Sequence, residues 1–199
     1  MSAEQLSDSG PASEEPDSPG AHLLIDAAPL LVDVELATLW HDFHASGMTE
    51  MKAAIQQALT LAATSAGLTQ GPFELSVALV DDKRIQMLNK VWRGQDKPTN
   101  VLSFPGIEPS EMSAATGTAD TAPKLLGDIV IARETVDAEA QAQGKTPVDH
   151  FLHLLVHGFL HLCGFDHVED KDAERMESLE TTILADMDIA APYERAEKV

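Results

Sequence analysis

His157-Gly-Phe-Leu-His161-Leu-Cys-Gly164-Phe-Asp-His167 decides how the rest of this chain is read. Histidines at i and i+4 of a helix sit one above the other on the same face, so both rings can reach one ion. Gly164 can take the left-handed conformation that stops a helix, and the chain then doubles back and brings His167 to the same point. Three neutral nitrogen ligands leave a fourth tetrahedral position open, as in a catalytic zinc site rather than a structural one. His153, one turn earlier on the same face, is the rival ligand. A fourth protein ligand would close the open position, so His153 is expected to orient a ligand or to face the substrate instead. Asp166, beside the third histidine, is suited to orienting an imidazole through a hydrogen bond.

The spacing also fits the metalloprotease pattern HExxHxxGxxH, with one difference. The residue after the first histidine is Gly158, where the proteases carry the glutamate that takes a proton from water. Nothing else inside the motif supplies that base, so peptide hydrolysis is disfavoured.

Outward from this motif, strands and helices interleave. Leu30–Val34 reads as a first strand and 50–65 as an alanine- and leucine-rich helix that Gly67 ends. Phe73–Val80 reads as a central strand. Asp81 or Asp82 caps a helix whose apolar face holds Ile85, Leu88 and Val91 or Trp92. Val101–Phe104 is a short strand closed by Pro105, and Leu125–Ala132 another. A helix from 133 to 143 ends at Gly144. The motif helix runs from Pro147 to Leu162 with proline in its first turn, and a closing helix covers 173–187. The class is α/β or α+β: a single domain over 21–190, one mixed sheet packed against helices, with the metal site on a helix and the turn after it. Residues 1–20 are expected to be a disordered acidic extension, 106–123 a flexible connection or a lid, and 191–199 a tail.

The formal net charge of −20 is unevenly spread. Residues 1–50 hold ten acidic side chains and no Lys or Arg, whereas Lys83, Arg84, Lys90, Arg93 and Lys97 fall within fifteen positions. An acidic chain is a poor nucleic-acid binder as a whole, but this objection weakens once the ends are set aside. The single cysteine, Cys163, excludes an internal disulfide and suits a reducing cytoplasm as a buried, inert thiol. The N-terminus lacks the basic and apolar regions of a secretory signal, and no apolar run is long enough to span a membrane, so a cytoplasmic location is expected.

Three segments in order carry a family resemblance: Leu88-Asn-Lys-Val-Trp-Arg93-Gly-Gln-Asp-Lys97-Pro-Thr-Asn100-Val-Leu-Ser-Phe-Pro105, Leu126-Gly-Asp128-Ile-Val-Ile131, and His153-Leu-Leu-Val-His157 through His167. On these residues the chain resembles the YbeY family of bacterial rRNA maturation endoribonucleases, over about residues 30–190. The acidic N-terminal extension and the longer 106–123 loop depart from the family pattern. The resemblance implies one zinc ion held by His157, His161 and His167, and cleavage of single-stranded RNA in 16S rRNA 3′-end maturation and ribosome quality control. It further implies small-subunit proteins and the GTPase Era as partners, and a need for Arg93 in activity.

The residues themselves agree with that chemistry. Arg93 offers a planar donor fork suited to a phosphate, although a helix-end arginine meeting solvent is the plain alternative. Lys97, Thr99 and Asn100 are expected to line a phosphate path, or to form a turn. Asp128, after Gly127, either approaches the metal site or serves a cap or turn. His22, His41, His44 and His150 read as background. A zinc hydrolase acting on peptides or small molecules, and a non-catalytic ribosome-assembly factor with a structural zinc, are the competing functions.

Overall fold

The computed structural model describes residues 21–68, 71–108 and 122–193; the expected N-terminal extension, most of the expected lid and the end of the tail lie outside them. Five strands form one mixed sheet in the order β1-β2-β3-β5-β4. They are β1 (Ala21–Ala27), β2 (Leu30–Leu36), β3 (Phe73–Val80), β4 (Val101–Pro105) and β5 (Lys124–Ala132). β2, β3 and β5 run parallel, while β1 and β4 pair antiparallel at the two edges. The first strand, β1, is absent from the sequence reading. It pairs along its whole length with β2, so an antiparallel partner rather than its own pattern makes it a strand.

The two sheet faces differ. Leu30, Val32, Val34 and Leu36 of β2, and Phe73, Leu75, Val77 and Leu79 of β3, alternate into one apolar core. Helices α1 (Met48–Ser65), α4 (Pro147–Leu162) and α5 (Asp170–Ala185) supply much of the rest of that core. On the opposite face α2 (Asp82–Arg93) covers a smaller cluster of Ile85, Leu102, Val130 and Ala132. Asp81 is the cap of α2, its carboxylate accepting the Arg84 N–H at 2.7 Å. Val91 and Trp92, the alternatives for its apolar face, are 75% and 68% exposed. Trp92 meets Phe104 edge-on with ring centroids 5.7 Å apart and lines the groove on that face. α5 begins a turn earlier than expected, and α3 (Arg133–Gln143) ends at the left-handed Gly144.

α4 forms as its sequence dictates. Thr146 caps it, Pro147 occupies the first turn, and ten of its residues are buried. Gly158 lies in the middle of this helix, where glycine is costly by about 1 kcal/mol relative to alanine. The structure gives the reason. A Cβ there would stand 3.0 Å from Ser103 Oγ, 3.1 Å from Ile129 Cγ2 and 3.3 Å from Val101 Cγ2, because the helix is seated directly on β4 and β5. The position that holds the base in metalloproteases here faces the sheet.

Gly158→Glu would therefore bury a carboxylate between helix and sheet instead of adding a base. It is expected to lower the unfolding free energy by at least about 3 kcal/mol, the sum of overpacking and an unpaired buried charge. Urea denaturation measures the loss.

Candidate metal centre

The turn after α4 is built from backbone hydrogen bonds. Gly164 has φ 85°, its N–H donates to the His161 carbonyl, and the Phe165 N–H donates to the Leu160 carbonyl, both at 3.0 Å. This pairing is the Schellman arrangement that glycine favours at a helix end. It reverses the chain so that the Phe165 carbonyl accepts from His161 Nδ1 at 3.0 Å. Beyond it, His167 comes back over the helix. The ring centroids of His157, His161 and His167 lie 4.6, 5.0 and 5.5 Å apart. A nitrogen from each falls within 4.8 Å of the others.

The hydrogen bonds assign the ring nitrogens. His157 Nδ1 donates to Glu180 Oε1 at 2.8 Å, and His161 Nδ1 donates to Phe165. The Nε2 atoms of both rings then remain as electron-pair donors, and they face each other at 3.1 Å. Two ligands of a tetrahedral ion with 2.0–2.1 Å bonds stand about 3.3 Å apart. The donor set, the free ring nitrogens and their spacing fit a divalent ion with a position left open. Burial first, then the neighbouring charges of His157 and His167, lower the His161 pKa, which favours the neutral, ligating form.

Glu180 was missed in the sequence. It has no exposed side-chain surface, and it also accepts from His153 Nε2 at 3.0 Å and from the Tyr193 hydroxyl. Burial alone would raise its pKa, but the bonds from His153, His157 and Tyr193 outweigh burial and hold the carboxyl at about 2. The Tyr193 hydroxyl is pushed well above the ordinary tyrosine range by burial and by that carboxylate. A signal for Glu180 was present. It occupies the apolar stripe of α5, with Met176 four before it and Ile183 and Leu184 three and four after it. His153, His157 and Glu180 form a second cluster able to hold an ion, with His153 outside the triple.

The three histidines open onto a cleft of about 550 Å³ that Arg93, Thr99, Asn100 and Ser103 also line. Arg93 is the last residue of α2, and the left-handed Gly94 behind it turns the chain into the cleft wall. Lys97 is not part of this lining: it is exposed, and its backbone carbonyl accepts from Asn89 Nδ2 at 2.8 Å. Asn100 lines the cleft, but its amide is committed, donating to Glu139 at 3.0 and 3.3 Å, while its oxygen takes the Val101 N–H. It shapes the wall instead of offering free donors. Ser103 Oγ donates to the Gly158 carbonyl at 3.1 Å.

Asp166 does not orient an imidazole; its carboxylate accepts the backbone N–H of His167 at 2.7 Å, and Glu180 and the Phe165 carbonyl orient the rings instead. Asp128 points to the other face of the sheet, into a groove it shares with Glu35, Ser76, Trp92 and Phe104. His150 is not background: it is buried, and its Nε2 donates to Glu139 at 2.7 Å, although burial lowers its pKa.

Two imidazoles from a buried helix and a third from beyond its terminal turn, sharing a cleft with an arginine, form a donor set of the type found in metal-dependent hydrolases. The sequence profile described as "Endoribonuclease YbeY" matches residues 41–188. The protein of that name from Paramagnetospirillum magneticum is 47% identical over 146 residues, covering 73% of this chain and 87% of its own. Another, from the HaA2 strain of Rhodopseudomonas palustris, is 44% identical over 190 residues, covering 96% and 93%. The solution structure of TM1509 from Thermotoga maritima aligns with a TM-score of 0.46 at 24% identity, over 74% of this chain and 93% of that one. The chain belongs to the YbeY family.

Cys163 ends the metal helix, and burial pushes its thiol up to about 12. Three units above an ordinary thiol leave roughly a thousandth of the usual thiolate, so the folded protein should react with a disulfide reagent about 10³-fold more slowly than the denatured chain. A thiol assay with and without denaturant at pH 8 measures the ratio; equal rates would show an accessible, reactive cysteine.

Proposed function

We propose that this chain is a zinc-dependent endoribonuclease that cuts single-stranded RNA in 16S rRNA 3′-end maturation. The observation that carries the reading is the cleft that brings Arg93 against His157, His161 and His167. Membership in the YbeY family, whose relatives are named as endoribonucleases, supports the substrate class.

His157 and His161 would hold the ion through Nε2, and His167 would supply the third nitrogen. When bound, zinc supplies Lewis acidity that lowers the pKa of water to about 7 and stabilises phosphoryl charge. Arg93 presents two parallel N–H donors to the non-bridging oxygens of the scissile phosphate, where charge builds as the bond breaks. The Thr99 hydroxyl lines the same wall and binds the flanking backbone. Asn100, fixed by Glu139, keeps that wall in place. Glu180 and the Phe165 carbonyl hold the protons of the ligand rings at Nδ1, away from the ion.

Peptide hydrolysis is the weaker reading, because among the described residues the one carboxylate lining the cleft, Asp166, is held by the His167 N–H. Small-subunit proteins and the GTPase Era remain proposed partners through the family resemblance, and a cytoplasmic location follows from that role. No described helix is long and apolar enough to cross a membrane.

Purified protein offered structured rRNA and casein, with and without chelator, tests the class. RNA should be cut only in the metal-loaded sample and casein should stay intact. Casein cleavage, or RNA cleavage indifferent to the chelator, would sink the proposal.

Within the site, His157→Ala and His161→Ala should each lose zinc by elemental analysis; normal zinc in both would remove the proposed ligands. Arg93→Ala should keep its zinc and fold while single-turnover cleavage at saturating RNA falls by about 10²–10³. Arg93→Lys should recover only part of that rate, since an ammonium keeps the charge but not the planar fork. Near wild-type turnover in Arg93→Ala would take the residue out of the chemistry.

A further inference from the structure

Glu180 is a carboxylate with no exposed surface, set among the apolar residues Met176, Ile183 and Leu184 of α5. A charge in that position needs several donors, and it has three. Its two oxygens are used differently. Oε1 receives only the Nδ1–H of His157, the proposed ligand, at 2.8 Å. Oε2 receives His153 Nε2–H at 3.0 Å together with the Tyr193 O–H. The two donors on Oε2 are what keep the carboxylate from rotating its other oxygen away from His157.

Tyr193 lies beyond the end of α5, in the segment the sequence suggested as a tail. Two further contacts hold that segment down. The tyrosine ring meets His153 edge-on with centroids 5.9 Å apart, and Lys145 Nζ reaches the Pro192 carbonyl at 3.4 Å.

We propose that Tyr193 and His153 are positioning residues of the metal centre, acting through Glu180 to fix His157 as an Nε2 ligand, so that the segment after α5 is a working part of the site. The inference rests on the metal-binding reading of the three histidines. Carboxylates that orient a ligating imidazole tighten metal binding, and their loss costs about 10–100-fold in affinity. Tyr193 and His153 extend that support one residue further out. The same cluster could instead hold a second cation between His153, His157 and Glu180. That arrangement would take the electron pair of His157 Nδ1 and displace the proton now given to Glu180. Metal stoichiometry separates the two.

The test is zinc affinity of the full chain, measured by competition with a chromogenic chelator. Tyr193→Phe keeps the ring and removes only the O–H. It should weaken zinc binding by about tenfold or more, while the metal-stripped protein stays folded, its melting temperature lowered by no more than the loss of one buried hydrogen bond. In a Glu180→Gln background the same substitution should cost nothing further, because its route to the ion is already cut. Additive losses in the double variant would overturn the proposal, as would wild-type zinc affinity in Tyr193→Phe or two zinc ions per wild-type chain.

A variant that fails to fold leaves a measurement on the wild-type sequence. Tyr193 is the only tyrosine, so 3-fluorotyrosine labelling yields a single fluorine resonance. It should shift on zinc titration and saturate at one equivalent. A resonance that does not move as zinc binds would overturn the link. Wild-type protein that takes up no zinc would instead sink the metal reading itself.

Discussion

A helix that carries four imidazoles through the interior must find an acceptor for each ring N–H it shields from water. α4 carries His150, His153, His157 and His161, and each has one. Glu139 of α3 receives His150, Glu180 of α5 receives both His153 and His157, and the Phe165 carbonyl receives His161. A buried donor left without a partner costs about 1–3 kcal/mol, so these bonds add to apolar packing in holding the two flanking helices and the turn against α4. In His150 and His153 the remaining Nδ1 is buried without a partner among the described residues. The same requirement that satisfies the helix also turns the Nε2 atoms of His157 and His161 toward each other.

The opposite side of α4 is constrained by contact instead of by polarity. Gly158 brings the helix axis close to β4 and β5, and Ser103 Oγ bonds its carbonyl across that contact. The metalloprotease arrangement of a glutamate next to the first histidine is incompatible with this seat, since the side chain would have to enter the sheet. A centre with the same histidine spacing is thereby left without an adjacent carboxylate base and faces an arginine instead. The chemistry available to the cleft follows from how closely a helix lies on a sheet.

The charge distribution suits a polyanionic substrate only locally. The chain is strongly acidic overall, yet among the described residues that line the cleft the single carboxylate, Asp166, is tied to its neighbour's backbone. Glu139 and Glu180, behind the lining, spend their charge on imidazoles and, for Glu139, on Asn100. The sheet's other face presents Glu35, Asp81 and Asp128 to its own groove, on the side away from the histidines.

The sequence by itself determined what local rules control. Pro147, Gly144 and Gly164 bound the helices at the positions expected of them, and the i, i+4, i+10 histidines with a glycine between meet at one point because helix geometry and a left-handed turn leave little choice. The largely apolar run Phe73–Val80 marked β3 as a central strand. Only the tertiary structure decided which acceptors take the ring protons, because those come from residues 11, 23 and 27 positions away in the chain. Glu180 is hidden among the many acids of α5, and His150 looks like any other histidine until α3 is packed against it. Asp128, which the sequence left between the metal site and a cap or turn, is likewise placed by the pairing of β5 with β3. A register shift between Glu74 and Leu75 leaves Leu126 as the extra residue on β5, and one residue of shift exchanges the two faces of a strand. Periodicity is a property of a segment, whereas burial, register and the partner of a proton are properties of the pair that meets.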